Sequence, residues 1–217
     1  MPDIFDEVEE DLRRDRAMRF WQRHGWIVAA CAVAVVAGTA GWQAWSWHQK
    51  RTAQAATAQL LAAMRAPSAP AAAAGLEDVA RDGDPGLRTL ARLVEAARRA
   101  TAGETPAALP LWQSVAADSS AEALYRDLAS LLIVMHTLDT APPDELAARL
   151  APLAVPGNPW RYNAAELQAL LADRRGDRPA AIAAFRALAT DVDAPAGVRA
   201  RAEQMLTVLG AGRGAAG

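Results

Sequence analysis

Residues 24 to 50 read HGWIVAACAVAVVAGTAGWQAWSWHQK, with no acid, Lys or Arg between His24 and Lys50. From Trp26 to Trp47 is 22 residues. At a rise of ~1.5 Å each, a helix of that length reaches roughly 33 Å, close to the hydrocarbon thickness of a bilayer. A buried helix of a soluble core seldom runs so far uncharged, so a membrane span over residues 25–48 is the expectation. Trp21 and Trp26 stand at one end and Trp42, Trp45 and Trp47 at the other, where two interfacial aromatic belts would fall. The rival reading is a removed signal peptide, with residues 26–37 as its apolar region and Gly38-Thr39-Ala40 as a small-residue cleavage site. Cleavage after Ala40 would release a secreted soluble helical protein. Against that reading, an acid-rich segment of 24 residues precedes the run, and cleavage would leave three Trp exposed at a new N-terminus.

Charge orients the span. Six acids and no base occupy residues 1–11, and five Arg (Arg13, Arg14, Arg16, Arg19, Arg23) follow before the run, whereas only Lys50 and Arg51 come closely after it. Basic residues stay on the cytoplasmic side. Residues 1–24 are therefore expected in the cytoplasm and residues 50–217 on the far side, a single-pass type II arrangement. Ile4, Phe5, Val8 and Leu12 give the cytoplasmic segment an apolar edge. Within the run, Ala30, Ala34 and Gly38 recur every four residues, as do Ala37 and Gly41; such small faces let a partner helix approach, although Ala is abundant throughout this chain. Ala34, Gly38 and Gly41 are the candidate contacts.

No Pro or Gly interrupts the chain after Gly41 until Pro67, so the helix should continue as a stalk before APSAPAAAAG (66–75) breaks it as a linker. The stalk and linker span 49–75, and a far-side domain spans 76–217. That domain reads as successive helices with apolar residues at three and four spacing, and strand signals are absent. Leu124, Leu128, Leu131, Met135 and Leu138 form a stripe expected to pack in the core.

Laid on itself at an offset of 73, the domain aligns GETPAALPLWQSVAAD (103–118) with GDRPAAIAAFRALATD (176–191) without a gap. Gly103 meets Gly176, Ala108 meets Ala181, and Trp112 meets Phe185. That offset is about two periods of 34 to 37 residues, the span of one helical hairpin in a tetratricopeptide solenoid. Gly allows the turn, Ala lets two helices approach, and the aromatic plugs the space toward the next hairpin. The fold class is all-α: one transmembrane helix, then a tetratricopeptide-like solenoid. First helices of such pairs line the concave face, here parts of 86–100 and 160–174. Trp160, Arg161 and Tyr162 are the candidate contact residues there; the competing role for Trp160 is a packing cap after Pro159.

No constellation for chemistry emerges. His24 and His48 flank opposite ends of the run, His136 lies in the core helix, and the single Cys31 lies within the run, so neither a metal site nor an intrachain disulfide is indicated. No phosphate loop, GxSxG or HExxH occurs. The acid pairs Glu77-Asp78 and Asp144-Glu145 read as first-turn residues favoured by the helix dipole, and Asp84-Pro85-Gly86 as a turn. Bases and acids balance at 18 each from Lys50 onward, without the basic stripe that nucleic acid requires. The expectation is an interaction protein with no catalytic residue, cofactor, metal or small-molecule substrate.

Three segments carry a family resemblance: the acidic then Arg-rich head with RFWQRHGW, the span ending in GWQAWSW, and the run NPWRYNAAELQALLADRRGDRPAAIAAFRALATDVDAPAGVRARAEQML. In these the chain resembles the bacterial tetratricopeptide-like ancillary subunit of the SecYEG translocon, in its alphaproteobacterial form. The chain departs from the repeat pattern in lacking a large residue early in each first helix and in a degenerate middle repeat, 121–155. The resemblance implies an inner-membrane protein with a periplasmic helical domain. Its implied partners are the translocon and a membrane-anchored periplasmic foldase, and its implied work is periplasmic chaperoning of exported proteins. An envelope assembly or cell-division coordinating role is the alternative.

Overall fold

A computed structural model describes residues 4–211, although within the first helix it omits the side chains of 4–25, 27–29, 32, 49, 50, 52 and 53. The apolar edge at Ile4 to Leu12, the five Arg, Trp21, His24 and Lys50 therefore lie outside the described side chains. Among the described residues there are nine α-helices and no strand. The chain divides into two compact units, Met1–Ala55 and Ala56–Gly217.

The first helix, α1, runs Ile4–Met64. Its continuation to Met64 fits the lack of Pro and Gly after Gly41. Among the described residues no helix is long and apolar enough to cross a membrane. Ile27, Val28, Ala29 and Ala32 of the uncharged run are among the side chains not described.

The second unit starts with the last turns of α1 and continues through α2 (Ala69–Asp82), α3 (Pro85–Thr101), α4 (Thr105–Ala117), α5 (Ala123–Thr137), α6 (Pro143–Leu150), α7 (Arg161–Arg174), α8 (Arg178–Thr190) and α9 (Ala196–Val208). Proline sits in the first turn of α2, α3, α4, α6 and α8, where its missing N–H has no helical partner to lose. Asp84 caps α3 by accepting from the Leu87 N–H at 2.9 Å, and Asp177 caps α8 by accepting from the Ala180 N–H at 3.1 Å.

Each helix packs on the next, so the core is a row of four local clusters. Leu60 and Ala63 of α1 meet Leu76 and Val79 of α2 and Leu87 of α3. Leu93 and Ala96 of α3 meet Ala108, Trp112 and Val115 of α4 and Ile133 of α5. Leu131 and Val134 then meet Leu146 and Leu150 of α6 and Leu167 and Leu171 of α7. Ala181 and Phe185 of α8 close the row between Ala169 of α7 and Val198, Ala202 and Leu206 of α9. Clusters built only from consecutive helices are the mark of a solenoid.

Three expectations are corrected. The linker expected at 66–75 is mostly helix, because Ser68 accepts from the Ala71 N–H, Pro70 suits the first turn, and four Ala in a row propagate α2. Glu77 and Asp78 are consequently in the body of α2, where Asp78 pairs with Arg81 at 2.6 Å, rather than in a first turn. The stripe on α5 is buried only in part: Leu131 is inside, Leu128 and Leu138 are half-buried, and Leu124 and Met135 are 40% and 48% exposed. Neighbours grip α5 on two sides, burying Ala129 and Ile133 toward α4 and Leu131 and Val134 toward α6 and α7. The stripe falls at the edge of the second line and runs out into solvent.

Candidate interaction surface

The two aligned turns share their backbone in detail. Gly103 and Gly176 both have φ +81°. The N–H of the following residue reaches five residues back in each, Glu104 to Arg99 O at 2.8 Å and Asp177 to Ala172 O at 2.9 Å. That αL closure suits Gly, because a side chain there meets its own backbone. Five residues on, Ala108 and Ala181 are fully buried, and Trp112 and Phe185 behind them are, among the described residues, the two largest side chains shut off from solvent. Hairpins α3–α4 and α7–α8 are thereby set alike. The hairpin between them is shortened: α6 has eight residues, and the segment after it fills the core with Leu153 instead of a further turn of helix.

Arg fixes several of the joints. Arg174 donates to the carbonyls of Leu138 and, at 2.7 Å, of Ala141, tying the end of α7 to the loop after α5. Arg175 pairs with Asp144 in the first turn of α6 at 2.5 Å. Arg201 of α9 grips both oxygens of Glu166 on α7 at 2.6 Å, and that contact raises the guanidinium's pKa further above its already high value. Asp118, after α4, accepts from the Ser120 O–H at 2.6 Å and its N–H at 2.9 Å. These bonds, with the nearby Arg92 charge, hold its carboxyl below the usual carboxylate range.

Trp160 is half-buried: its indole N–H donates to Leu124 O at 3.0 Å, and its ring packs on the cluster of α5, α6 and α7. Asn158 strengthens that joint, accepting from the Trp160 N–H at 2.8 Å while donating to Asp127 at 2.9 Å. Arg161 lies over the Tyr162 ring, 4.3 Å from its centre, and hydrogen-bonds its hydroxyl. Tyr162 packs in part on the cluster of α7, α8 and α9. In α1, Ala34, Gly38 and Gly41 are exposed, and a Cβ added at either glycine would meet nothing within 4 Å.

Two features were invisible in the sequence. A cleft of about 720 Å³ opens beside the start of α2 and the second half of α3, with Ala73, Val94 and Ala97 on its walls and Glu95, Arg98 and Arg99 beside them. The exposed line Leu124–Met135 on α5, flanked by half-buried Leu128 and Leu132, adds an adaptable apolar strip on a first helix. Both are apolar surfaces that the side chains of another protein could cover.

Compared with known families, residues 18–208 match the tetratricopeptide repeat-like domain. Neither the curated proteins nor the solved structures contain a significant match.

Proposed function

Because the chain belongs to the tetratricopeptide repeat-like domain family, we propose that it is a membrane-anchored scaffold that holds other proteins beside the SecYEG translocon of the inner membrane. The observation that carries the anchor is the exposure of α1. Trp26, Val33, Val35, Val36, Trp42 and Trp45 are each 65–76% exposed. Val33, Val35 and Val36 project in directions too far apart for one partner helix to cover, so a surrounding apolar medium suits them best. The hydroxyls within the run support the same reading. Thr39 donates to Val36 O at 3.0 Å and Ser46 to Gln43 O at 2.9 Å, which spares both the cost of an unpaired polar group in lipid.

The translocon role rests on the resemblance of the head, the span and the C-terminal repeat, and the solenoid supplies a surface for protein partners. With residues 50–217 in the periplasm, the cleft by α2 and α3 and the α5 strip would face exported chains and a foldase anchored in the same membrane.

The test uses the full chain expressed in a bacterium of the kind the resemblance implies. Intact mass should include residues 1–40, the protein should resist alkaline extraction, and protease added outside the inner membrane should digest the C-terminal domain. Loss of the first 40 residues would establish the secreted alternative instead. Photo-crosslinkers at Ala34 and Gly38 should capture a translocon component or the foldase; capture of neither would remove the translocon assignment while leaving the anchor standing.

A further inference from the structure

From Arg16 to Leu76 the sequence contains no Asp or Glu. Arg51, just past the uncharged run, therefore has no carboxylate near it along the chain, and it makes no hydrogen bond or ion pair among the described residues. Its guanidinium instead lies 3.9 Å from the centre of the Trp47 ring, one helical turn back, and Trp47 is itself 55% exposed. Stacking uses one face of the guanidinium and leaves its edge N–H groups as a planar fork of donors. A fork with no acceptor among the described residues, carried on a ring of the kind that settles at headgroup depth, fits a phosphate oxygen pair.

We propose that Trp47 and Arg51 form a binding site for the phosphate of an anionic phospholipid in the leaflet at the C-terminal end of the run. The inference rests on the anchor reading above and deepens it. Arg51 is on the translocated side, where basic residues are otherwise scarce next to the run, and a phosphate contact gives that one a local reason to be there. A phosphatidylglycerol headgroup offers the phosphate with no competing ammonium, whereas the choline headgroup carries its own cation. The stack orients the fork before lipid arrives, so binding depends on Trp47 as well as on charge.

The experiment places the full chain in vesicles of phosphatidylcholine containing spin-labelled phosphatidylglycerol or spin-labelled phosphatidylcholine, and reads the fraction of label immobilised by protein. The wild-type chain should select phosphatidylglycerol. Arg51→Gln should lower that selectivity about fivefold, the effect of one basic residue beside an anionic leaflet. Trp47→Leu and Arg51→Lys keep the charge but lose the stack or the fork, and each should lose a large part of the same selectivity. If both behave as wild type, or if the wild-type chain shows no selectivity, the site is overturned. Competition by inorganic phosphate in the buffer would also overturn it, since the ligand would then be free anion. Alkaline extraction of the same vesicles separates the two readings: a chain that fails to insert refutes the anchor, whereas one that inserts without lipid selectivity refutes only the site.

Discussion

Replacing Gly103 and Gly176 by Ala, singly and together, measures how far the two aligned turns are physically the same. Both glycines have φ +81°, and a Cβ at either would meet nothing within 4 Å. The cost is therefore one of backbone alone, with no clash to make one site differ from the other. An L-residue in the left-handed region costs about 1–2 kcal/mol. Ala returns part of that, about 0.4–1 kcal/mol, by narrowing the unfolded chain's choices. Each variant should thus lose about 1 kcal/mol, which in a folded body of this size lowers Tm by roughly 2–4 °C. The two turns lie in different core clusters, so the double variant should lose about 2 kcal/mol. Urea unfolding of the full chain in detergent, followed by far-ultraviolet circular dichroism and Trp fluorescence, gives all three values. Asn tolerates this conformation better and should cost less at both positions. If Ala stabilises either site, or if the two single losses differ by more than about 1 kcal/mol, a shared αL closure is not what sets these hairpins.

Glu104 precedes α4 without a side-chain cap, whereas Asp177 caps α8 at the equivalent turn; Glu104→Asp should therefore raise stability by about 0.5–1 kcal/mol in the same unfolding assay. The buried Trp112 Nε1 has no hydrogen-bond partner among the described residues, although the ring stacks on His136 at 4.7 Å; Trp112→Phe should consequently cost less than about 1.5 kcal/mol, while Trp112→Ala should cost about 3–5. At Gly75 an added Cβ would come within 2.8 Å of the Ala63 Cβ, so Gly75→Ala should push α1 and α2 apart and lower stability by about 1–3 kcal/mol, measured by the loss of amide protection around Leu60 and Leu76. Because the Asp118 carboxyl titrates below its unfolded value, its stabilising effect is complete above that unfolded value and fades as pH falls through the folded one; Ser120→Ala should shrink this acid-side loss, read from urea midpoints between about pH 6 and pH 3.

The parts of the fold legible in the sequence are those that a single residue type enforces. Gly at 103 and 176 announces φ > 0, Pro at 106 and 179 announces a first turn, and Ala108 and Ala181 announce a close crossing, so the turns within α3–α4 and α7–α8 could be placed by alignment alone, whereas Asp84-Pro85-Gly86, expected as a turn, is the N-cap and first residues of α3. The segment 66–75 misled because Ser and Pro act as breakers and as helix starts with equal force. What decides between these roles is whether an apolar face follows, and Ala72, Leu76 and Val79 supply one. The Arg joints were unreadable for another reason. Arg174 and Arg201 reach partners more than 30 residues away, a separation that no local pattern encodes.

The α5 strip shows why periodicity predicts burial poorly inside a solenoid. In a two-layer fold, a helix has one apolar face and one buried face, and the two coincide. A first helix in a stacked row touches its own partner and the next hairpin, so it buries two lines, here Ala129–Ile133 and Leu131–Val134. Small Ala129 serves one of those lines and registers weakly in an apolar count, while Leu124 and Met135 register strongly and remain outside. Large apolar residues in excess of what both lines can bury must lie on the remaining arc, which in a row of hairpins is the arc that no neighbour of the same chain reaches. Within the second unit, that surplus on α5 and the cleft by α2 and α3 are where a protein partner would gain from contact, since covering the exposed 40% of Leu124 and 48% of Met135 adds about 0.6–1.4 kcal/mol each before the costs of association.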